Sequence, residues 1–322
     1  MANERHLQTI NLQTLHLSME QPQLRALEAR CIQEEQPFCT AACPLHVDVR
    51  AFMTGLAKGD VREARRVLDR TLPFPEILGR ICDQPCRPHC KRGEIGDPLA
   101  IGRLEQFCVR TTQTVVKLPK LPAKGGKIAV IGAGLSGMTA ALDLSRKGRP
   151  AVLITNREGI GGSLRQMAED ILPAQALTQA EATLLGYGVT LRTGQALDRE
   201  CVAALIAEYD TLYFDWDDCD PGLLPFALSA PDPLTLALAG EGCFGGGGLV
   251  PGQPYSPMHQ AENGRRAALS MERYLQKVSL TAQRDKEGAC ETRMYTEIRG
   301  LAPAAEILPA DSTAGYTPEE AK

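Results

Sequence analysis

Apolar positions divide the chain into a helical beginning and an alternating strand–helix middle. From Val49 to Leu72 (VRAFMTGLAKGDVREARRVLDRTL) apolar residues recur at helical spacing. The pattern breaks once, at Gly59-Asp60, where Asp60 is placed to cap a second helix. Pro73 and Pro75 then end the helix and a loop follows, after which Leu99 to Gln113 (LAIGRLEQFCVRTTQ) predicts another helix. Before all of these, residues 1 to about 30 read as a polar, helix-leaning arm. The stretch from Leu118 to Gly126, rich in Pro, Lys and Gly, predicts a linker. Beyond it, IAVI is an apolar run of strand length, followed by a glycine turn and an apolar-faced helix. Further strands are predicted at Pro150 to Thr155, in GVTLRTG (188–194) and from Asp210 to Trp216, with a helix at 174–186. Residues 217–240 are rich in turn formers and have no clear period. GCFGGGGLV (242–250) is a short strand running into glycines, and Ser256 to Gln276 is a well-marked helix with Pro257 near its start. The tail from 281 is polar, with prolines at 303, 309 and 318, and predicts an extended arm lying on another surface.

These elements give a helical domain over 1–118, a Rossmann-like α/β domain over 119–280 and a C-terminal arm over 281–322. A chain of 322 residues is long enough for two or three domains. Its net charge of −4 gives no reason to expect nucleic acid as a partner. No apolar run reaches the roughly 18 residues of a membrane span, so no membrane insertion is expected. The first twenty residues lack the apolar stretch of a signal peptide, and a cytoplasmic location is expected.

Cysteine usage changes the picture most. Of eleven cysteines, six fall in the first ninety residues as two spaced triplets, Cys31, Cys39, Cys43 and Cys82, Cys86, Cys90. Cys201, Cys219, Cys243 and Cys290 are scattered singly and read as packing or surface residues. In a chain without a secretory signal, spaced triplets predict metal ligation rather than disulfides. A 4Fe–4S cluster takes two or three thiolates from a short loop and a remote residue to close the site. Zinc is the alternative metal, but its sites favour C-x2-C knuckles, which are absent here. Proline after Cys43 echoes the Cys-Pro ending of ferredoxin motifs.

The glycine turn is Gly132-x-Gly134-x-x-Gly137, with Leu135 and Ser136 between, and it joins an apolar strand to a helix as a dinucleotide site requires. Gly132 allows the tight turn, Gly134 lets the backbone approach a pyrophosphate, and Gly137 lets the helix close on the strand. The helix N-terminus offers amides and a positive dipole end to phosphates.

ARCIQEEQPFCTAACPLHVDVRAF, GRICDQPCRPHCKRGEIGDPLAIGRLEQF and the GAGLSG turn, in that order, resemble the glutamate synthase small-subunit family. That family also includes the N-terminal part of dihydropyrimidine dehydrogenase and the large subunit of NADH-dependent ferredoxin:NADP oxidoreductase. The resemblance covers about residues 28–276. It implies an α-helical double 4Fe–4S domain followed by a Rossmann-like FAD-binding domain. By matching positions, it implies that Cys43, Cys82, Cys86 and Glu105 hold one cluster. Cys31, Cys39 and Cys90 would hold the other, with Glu34 where many relatives have cysteine. Glu34 and Glu105 also have plain readings as solvated carboxylates, and His46 and His89 as bystanders near the ligands.

The same resemblance implies FAD rather than NAD at the first turn, with Gly161, Gly162, Ser163 and Leu164 matching a flavin-contacting segment. Two acidic groups of the family pattern are missing. Thr155 and Asn156 stand where a glutamate usually meets the adenosine ribose, and Gly247-Gly248 replaces a Gly-Asp that touches the ribityl chain. Relatives also insert an NAD(P)H-binding domain between the halves of the flavin domain. Here only residues 217–240 lie between DTLYFDW and GCFGGGG, without a second glycine fingerprint. A βαβ unit alone takes about 30 residues and a domain about 50. The expected function is therefore an electron-transfer subunit of a redox complex, relaying electrons between FAD and two 4Fe–4S clusters. Its partners would be ferredoxin-like, NAD(P)H-binding or substrate-oxidising subunits, with electron bifurcation a possible extension. A self-sufficient NAD(P)H oxidoreductase and a scaffold that has lost its flavin are the alternatives.

Overall fold

The computed structural model describes residue 22 and residues 35–322, apart from 114–118, 227–229, 249, 251 and 312–314. The expected Cys31 and Glu34 lie outside the described residues.

The helical part contains α1 (Phe38–Ala42), α2 (Val49–Ala57), α3 (Val61–Thr71), α4 (Pro75–Ile81) and α5 (Ile101–Thr111). Aspartates start two of them. The Asp48 carboxylate accepts from the Ala51 amide at 3.0 Å, and that of Asp60 accepts from the Glu63 amide at 2.9 Å. The predicted break at Gly59-Asp60 is the α2–α3 joint, with Gly59 at φ +73°. Pro75 departs from expectation. It does not simply close the preceding helix but occupies the first turn of α4, where its missing N–H costs nothing. Between α3, α4 and α5, the fully buried Arg65 guanidinium donates to Asp69 at 2.7 Å and Glu76 at 2.5 Å.

The second part is a parallel five-stranded sheet of order β3-β2-β1-β4-β5. Its strands are β1 (Ile128–Ile131), β2 (Ala151–Ile154), β3 (Thr190–Arg192), β4 (Thr211–Asp215) and β5 (Cys243–Gly246). The helices are α6 (Leu135–Arg146) after β1, α7 (Ala174–Gly186) after β2, α8 (Arg199–Glu208) before β4, and α9 (Pro257–Leu275) after β5. β1 pairs with both β2 and β4, so the strand order reverses at β1, the switch point where ligands lie in such sheets. The central strands β1 and β4 are buried throughout, β1 as its unbroken apolar run IAVI requires and β4 with Thr211 and Asp215 at its ends.

One buried cluster runs from Phe52, Leu68 and Ile77 of the helical part to Val130, Met138, Leu144 and Met271, so helices and one sheet face share a core. A second covers the other face with Ile131, Phe214, Val202 and Leu205. Helix α9 lies along α6, and a Cβ at Gly264 would sit 2.8 Å from Thr139 Cβ. Arg265 on α9 donates to the Thr71 carbonyl at 2.6 Å and to Asp143 at 3.2 Å, fastening the sheet to the end of α3. Between β4 and β5 the chain makes one 3-10 turn (Pro221–Leu223) and an isolated bridge between Ala237 and Phe244.

The tail after α9 runs back over the cysteine-bearing end of the helical part. The Cys290 amide donates to the Ala41 carbonyl at 2.8 Å, and Thr292 to that of Gln36 at 2.7 Å. Farther on, Arg87 donates to Glu306 at 2.9 Å, and the Asp97 amide to the Ala304 carbonyl at 3.2 Å. Among the described residues, no helix is long and apolar enough to cross a membrane.

Candidate functional site

Helix ends position the described cysteines. Cys43 caps the C-terminus of α1, Cys82 that of α4, and Cys86 and Cys90 flank the single turn Arg87–His89. Gln84, at φ +57°, bends the second loop back onto α5, and its side-chain carbonyl accepts from the Gly102 amide at 3.3 Å. Gly102 is required there, because a Cβ would come within 2.8 Å of Gln84 Cδ. This docking lays the loop against Glu105 on the same helix.

The structure brings Cys43, Cys82, Cys86 and Glu105 within electrostatic reach of one another, and places Cys39 beside Cys90 and Cys86. Burial pushes the Cys43 thiol up to about 11 and raises those of Cys82 and Cys86, with the Glu105 charge adding to each. Burial also pushes Glu105 up to about 7, against a hydrogen bond with Cys82. One Glu105 carboxyl oxygen, Oε2, is buried without a partner. A dry set of three thiols and an orphaned carboxyl oxygen is a costly arrangement for protons alone and a suitable one for iron. Among the described residues no three His, Cys, Asp or Glu side chains converge on a single ion. A cubane presents a separate iron to each ligand, so it does not ask for that convergence. All described cysteines are free thiols.

His46 is held by the tail, with Nε2 at 2.5 Å from the Gly288 carbonyl, and His89 is exposed. Lys91 lies 4.4 Å from the centre of the Phe38 ring, next to Cys90, and with Arg92 it lends positive charge to the loop.

The glycine turn has the expected backbone. Gly132 is at φ +99°, Gly134 caps α6, and the Ala133 carbonyl accepts from the Gly161 amide at 2.7 Å. Leu135, Ser136 and Leu164 are buried, and the Ser136 hydroxyl is engaged by Tyr213. Thr155 is buried and Asn156 exposed. Gly247 is at φ +106°, and its carbonyl accepts from Asn263 at 3.1 Å.

Three carboxylates overlooked in the sequence reading occupy this cradle. Asp215, at the end of β4, accepts from the Gly137 amide at 3.0 Å. Asp218 accepts from the Ala133 amide and the Thr155 hydroxyl, both at 2.8 Å, and pairs with Arg157. Asp217 accepts from Ser163 at 2.5 Å and from Tyr255 at 2.9 Å. The Ala133 and Gly137 amides and the Thr155 and Ser163 hydroxyls are therefore bonded to the chain's own acids, a poor fit to the phosphates of a dinucleotide. The signal was legible as three of the five aspartates in DTLYFDWDDCD, but only the pairing of β4 with β1 shows that they reach the turn.

Residues 8–116 match the family described as dihydropyrimidine dehydrogenase domain II, 4Fe-4S cluster. Residues 130–180 match the NAD(P)-binding Rossmann-like domain. Over part of its length the chain is similar to glutamate synthase small chains. It is 33% identical over 145 residues to the glutamate synthase (NADPH) small chain of Mycobacterium tuberculosis, covering 44% of this chain and 30% of that one. Identity to the corresponding small chain of Escherichia coli K12 is 26% over 198 residues, covering 59% and 42%. The NADP(+)-dependent formate dehydrogenase subunit beta of Moorella thermoacetica is 26% identical over 251 residues, covering 67% and 33%. The chain thus spans less than half the length of each of these relatives. It carries a 4Fe–4S domain and a Rossmann-like domain of nucleotide-binding type.

Proposed function

We propose that this chain is an electron-transfer subunit of a larger redox complex and holds two 4Fe–4S clusters in its N-terminal part. Supporting observations are the dry grouping of Cys43, Cys82, Cys86 and Glu105, the neighbouring pair Cys39 and Cys90, and relatives named as subunits of redox enzymes. In this reading Cys43, Cys82, Cys86 and Glu105 hold one cluster, while Cys31, Cys39 and Cys90, with Glu34 as candidate fourth ligand, hold the other. Such a cluster, when bound, supplies one-electron storage and transfer. The protein's share is to hold the ligands oriented and dry, their protons leaving as iron binds. It also excludes water with Phe38, Leu45 and the Gln84 loop, and sets positive charge from Lys91 and Arg92 beside Cys90.

Residues 217–240 stand where relatives place a nicotinamide domain, so hydride chemistry belongs to a partner. Bifurcation needs a two-electron carrier in this chain, and the filled glycine turn gives it no support. The test is anaerobic purification with iron and sulfide analysis and electron paramagnetic resonance after reduction. About eight irons and eight sulfides per chain are expected. Zinc in place of iron, or fewer than about two irons after reconstitution, overturns the reading.

A further inference from the structure

We infer that the Rossmann-like part of this chain has closed its own dinucleotide site, with Asp215, Asp217 and Asp218 standing as internal ligands to the groups that hold a pyrophosphate in this fold. The inference concerns the glycine turn alone and does not depend on the iron content of the helical part.

Two amides and two hydroxyls around the turn are already taken. The amide inside the turn (Ala133) and the amide in the first turn of α6 (Gly137) each donate to a carboxylate, at 2.8 and 3.0 Å. The hydroxyls of Thr155 and Ser163, on the loops flanking the turn, donate at 2.8 and 2.5 Å, the first to the same Asp218 oxygen as the Ala133 amide and the second to Asp217. Clearance left by the glycines is used in the same way. A Cβ at Gly132, Gly134, Gly137 or Gly247 would lie 2.9, 2.6, 3.0 or 2.7 Å from an atom of the Asp215 side chain. Elsewhere such glycines admit a phosphate to the backbone; here they admit an aspartate.

None of the three acids is free to swing aside. Asp215 belongs to β4 and is in register with Gly246 of β5, so moving it breaks the sheet. The Asp218 side chain has no exposed surface and is held by Arg157, Thr155 and the Ala133 amide. Asp217 is gripped from two sides, by Ser163 and by Tyr255 from the start of α9. A pyrophosphate arriving at these amides would displace existing charge-assisted hydrogen bonds and lie against like charge in a low-dielectric pocket. Affinity at least about a hundredfold below that of an open turn is expected.

The positive consequence is a structural role. With the turn sealed, this part serves as a platform that presents the N-terminus of α9 to the cysteine loop. There the capping Ser256 donates to Asp83, beside Cys82, at 2.9 Å. Flavin, where the complex needs it, is then carried by a partner.

Trp216 is the only tryptophan and lies between two of the acids, so its fluorescence reports the site. The full chain, purified anaerobically with its metal content, is extracted for flavin and titrated with FAD, and separately with ADP-ribose. No flavin and no saturable binding below about millimolar ligand are expected, matching the loss above. In the double variant D217G/D218A, binding of FAD or ADP-ribose tightens at least about tenfold. The isosteric D217N/D218N, which keeps the shape and removes charge, shows a smaller gain and guards against misfolding of the first. Stoichiometric FAD in the native protein, or micromolar native affinity, overturns the inference. So does a folded pair of variants that bind no better than native protein. Iron and sulfide counts on the same samples report separately on the electron-transfer reading.

Discussion

Glu105 is a carboxyl whose surroundings make little sense for a solvated helix charge. It is almost fully buried on α5, and its Oε2 has no partner. If it closes a cluster with Cys43, Cys82 and Cys86, then Glu105→Ala should lower iron by about four per chain and remove one of two reduced-state resonance signals. Glu105→Gln should retain the iron and shift the reduction potential, a response that loss of packing alone would not give. Asp215 supplies a test through pH. Burial, helped by the nearby Asp217 and Asp218 charges and opposed by the Gly137 and Asp217 amides, pushes it up to about 7. The unfolded chain releases that proton near pH 4, so the folded state binds more protons in between. Its contribution is therefore fully present below about pH 4 and is lost as pH rises through about 7. Melting temperature should fall between pH 5 and 8 more steeply in native protein than in Asp215→Asn. The variant starts lower, because one of the two amides loses its acceptor, at about 1 kcal/mol. Glu262, pushed up to about 7 by burial, gives both proteins the same background slope.

At the scale of elements, the contact between α6 and α9 is set by one missing side chain. Gly264→Ala would drive a Cβ into the Ser136 carbonyl and Thr139, both on a buried helix with no room to give. Urea unfolding should register a loss of about 1–3 kcal/mol. Because Ser256 on α9 bonds Asp83 beside Cys82, the same variant should release iron to a chelator faster. The elements themselves were legible where a strong period met a clear stop. The helices at 49–57 and 61–71, at 174–186 and at 257–275 fell where their apolar faces and caps put them. Helix α4 was missed because Pro75 was read as a stop when it is a start. Helix α8 was missed because its buried face amounts to Val202 and Leu205. The cysteine spacing and the glycine turn were also legible, since their chemistry is local. The acids that fill the turn were not, because residues 215–218 meet residues 133–137 only after β4 has inserted beside β1.

The whole molecule is tied together by a tail whose sequence shows no period at all. Several of its contacts with the helical part use a backbone group of the tail, the Cys290 amide on the Ala41 carbonyl, the Ala304 carbonyl on the Asp97 amide and the Ala305 carbonyl on the Arg92 side chain, and no pattern of tail side chains encodes these. Gly96 also faces Ala304 so closely that a Cβ there would lie 2.7 Å from its carbonyl oxygen. The tail thus covers both ends of the loop carrying Cys86 and Cys90, and its removal should matter more to that loop than to the sheet. The ion pair of Arg87 with Glu306 is partly exposed, so Glu306→Ala alone should cost no more than about 1 kcal/mol. Deleting residues 289–322, which leaves the buried Arg284 on α9, removes these contacts together. Iron release to a chelator and bleaching of the cluster absorbance in air should then accelerate severalfold, with the thermal unfolding of the sheet little changed. Equal loss from both parts would mean that the shared core, and not the tail, guards the cysteine loop.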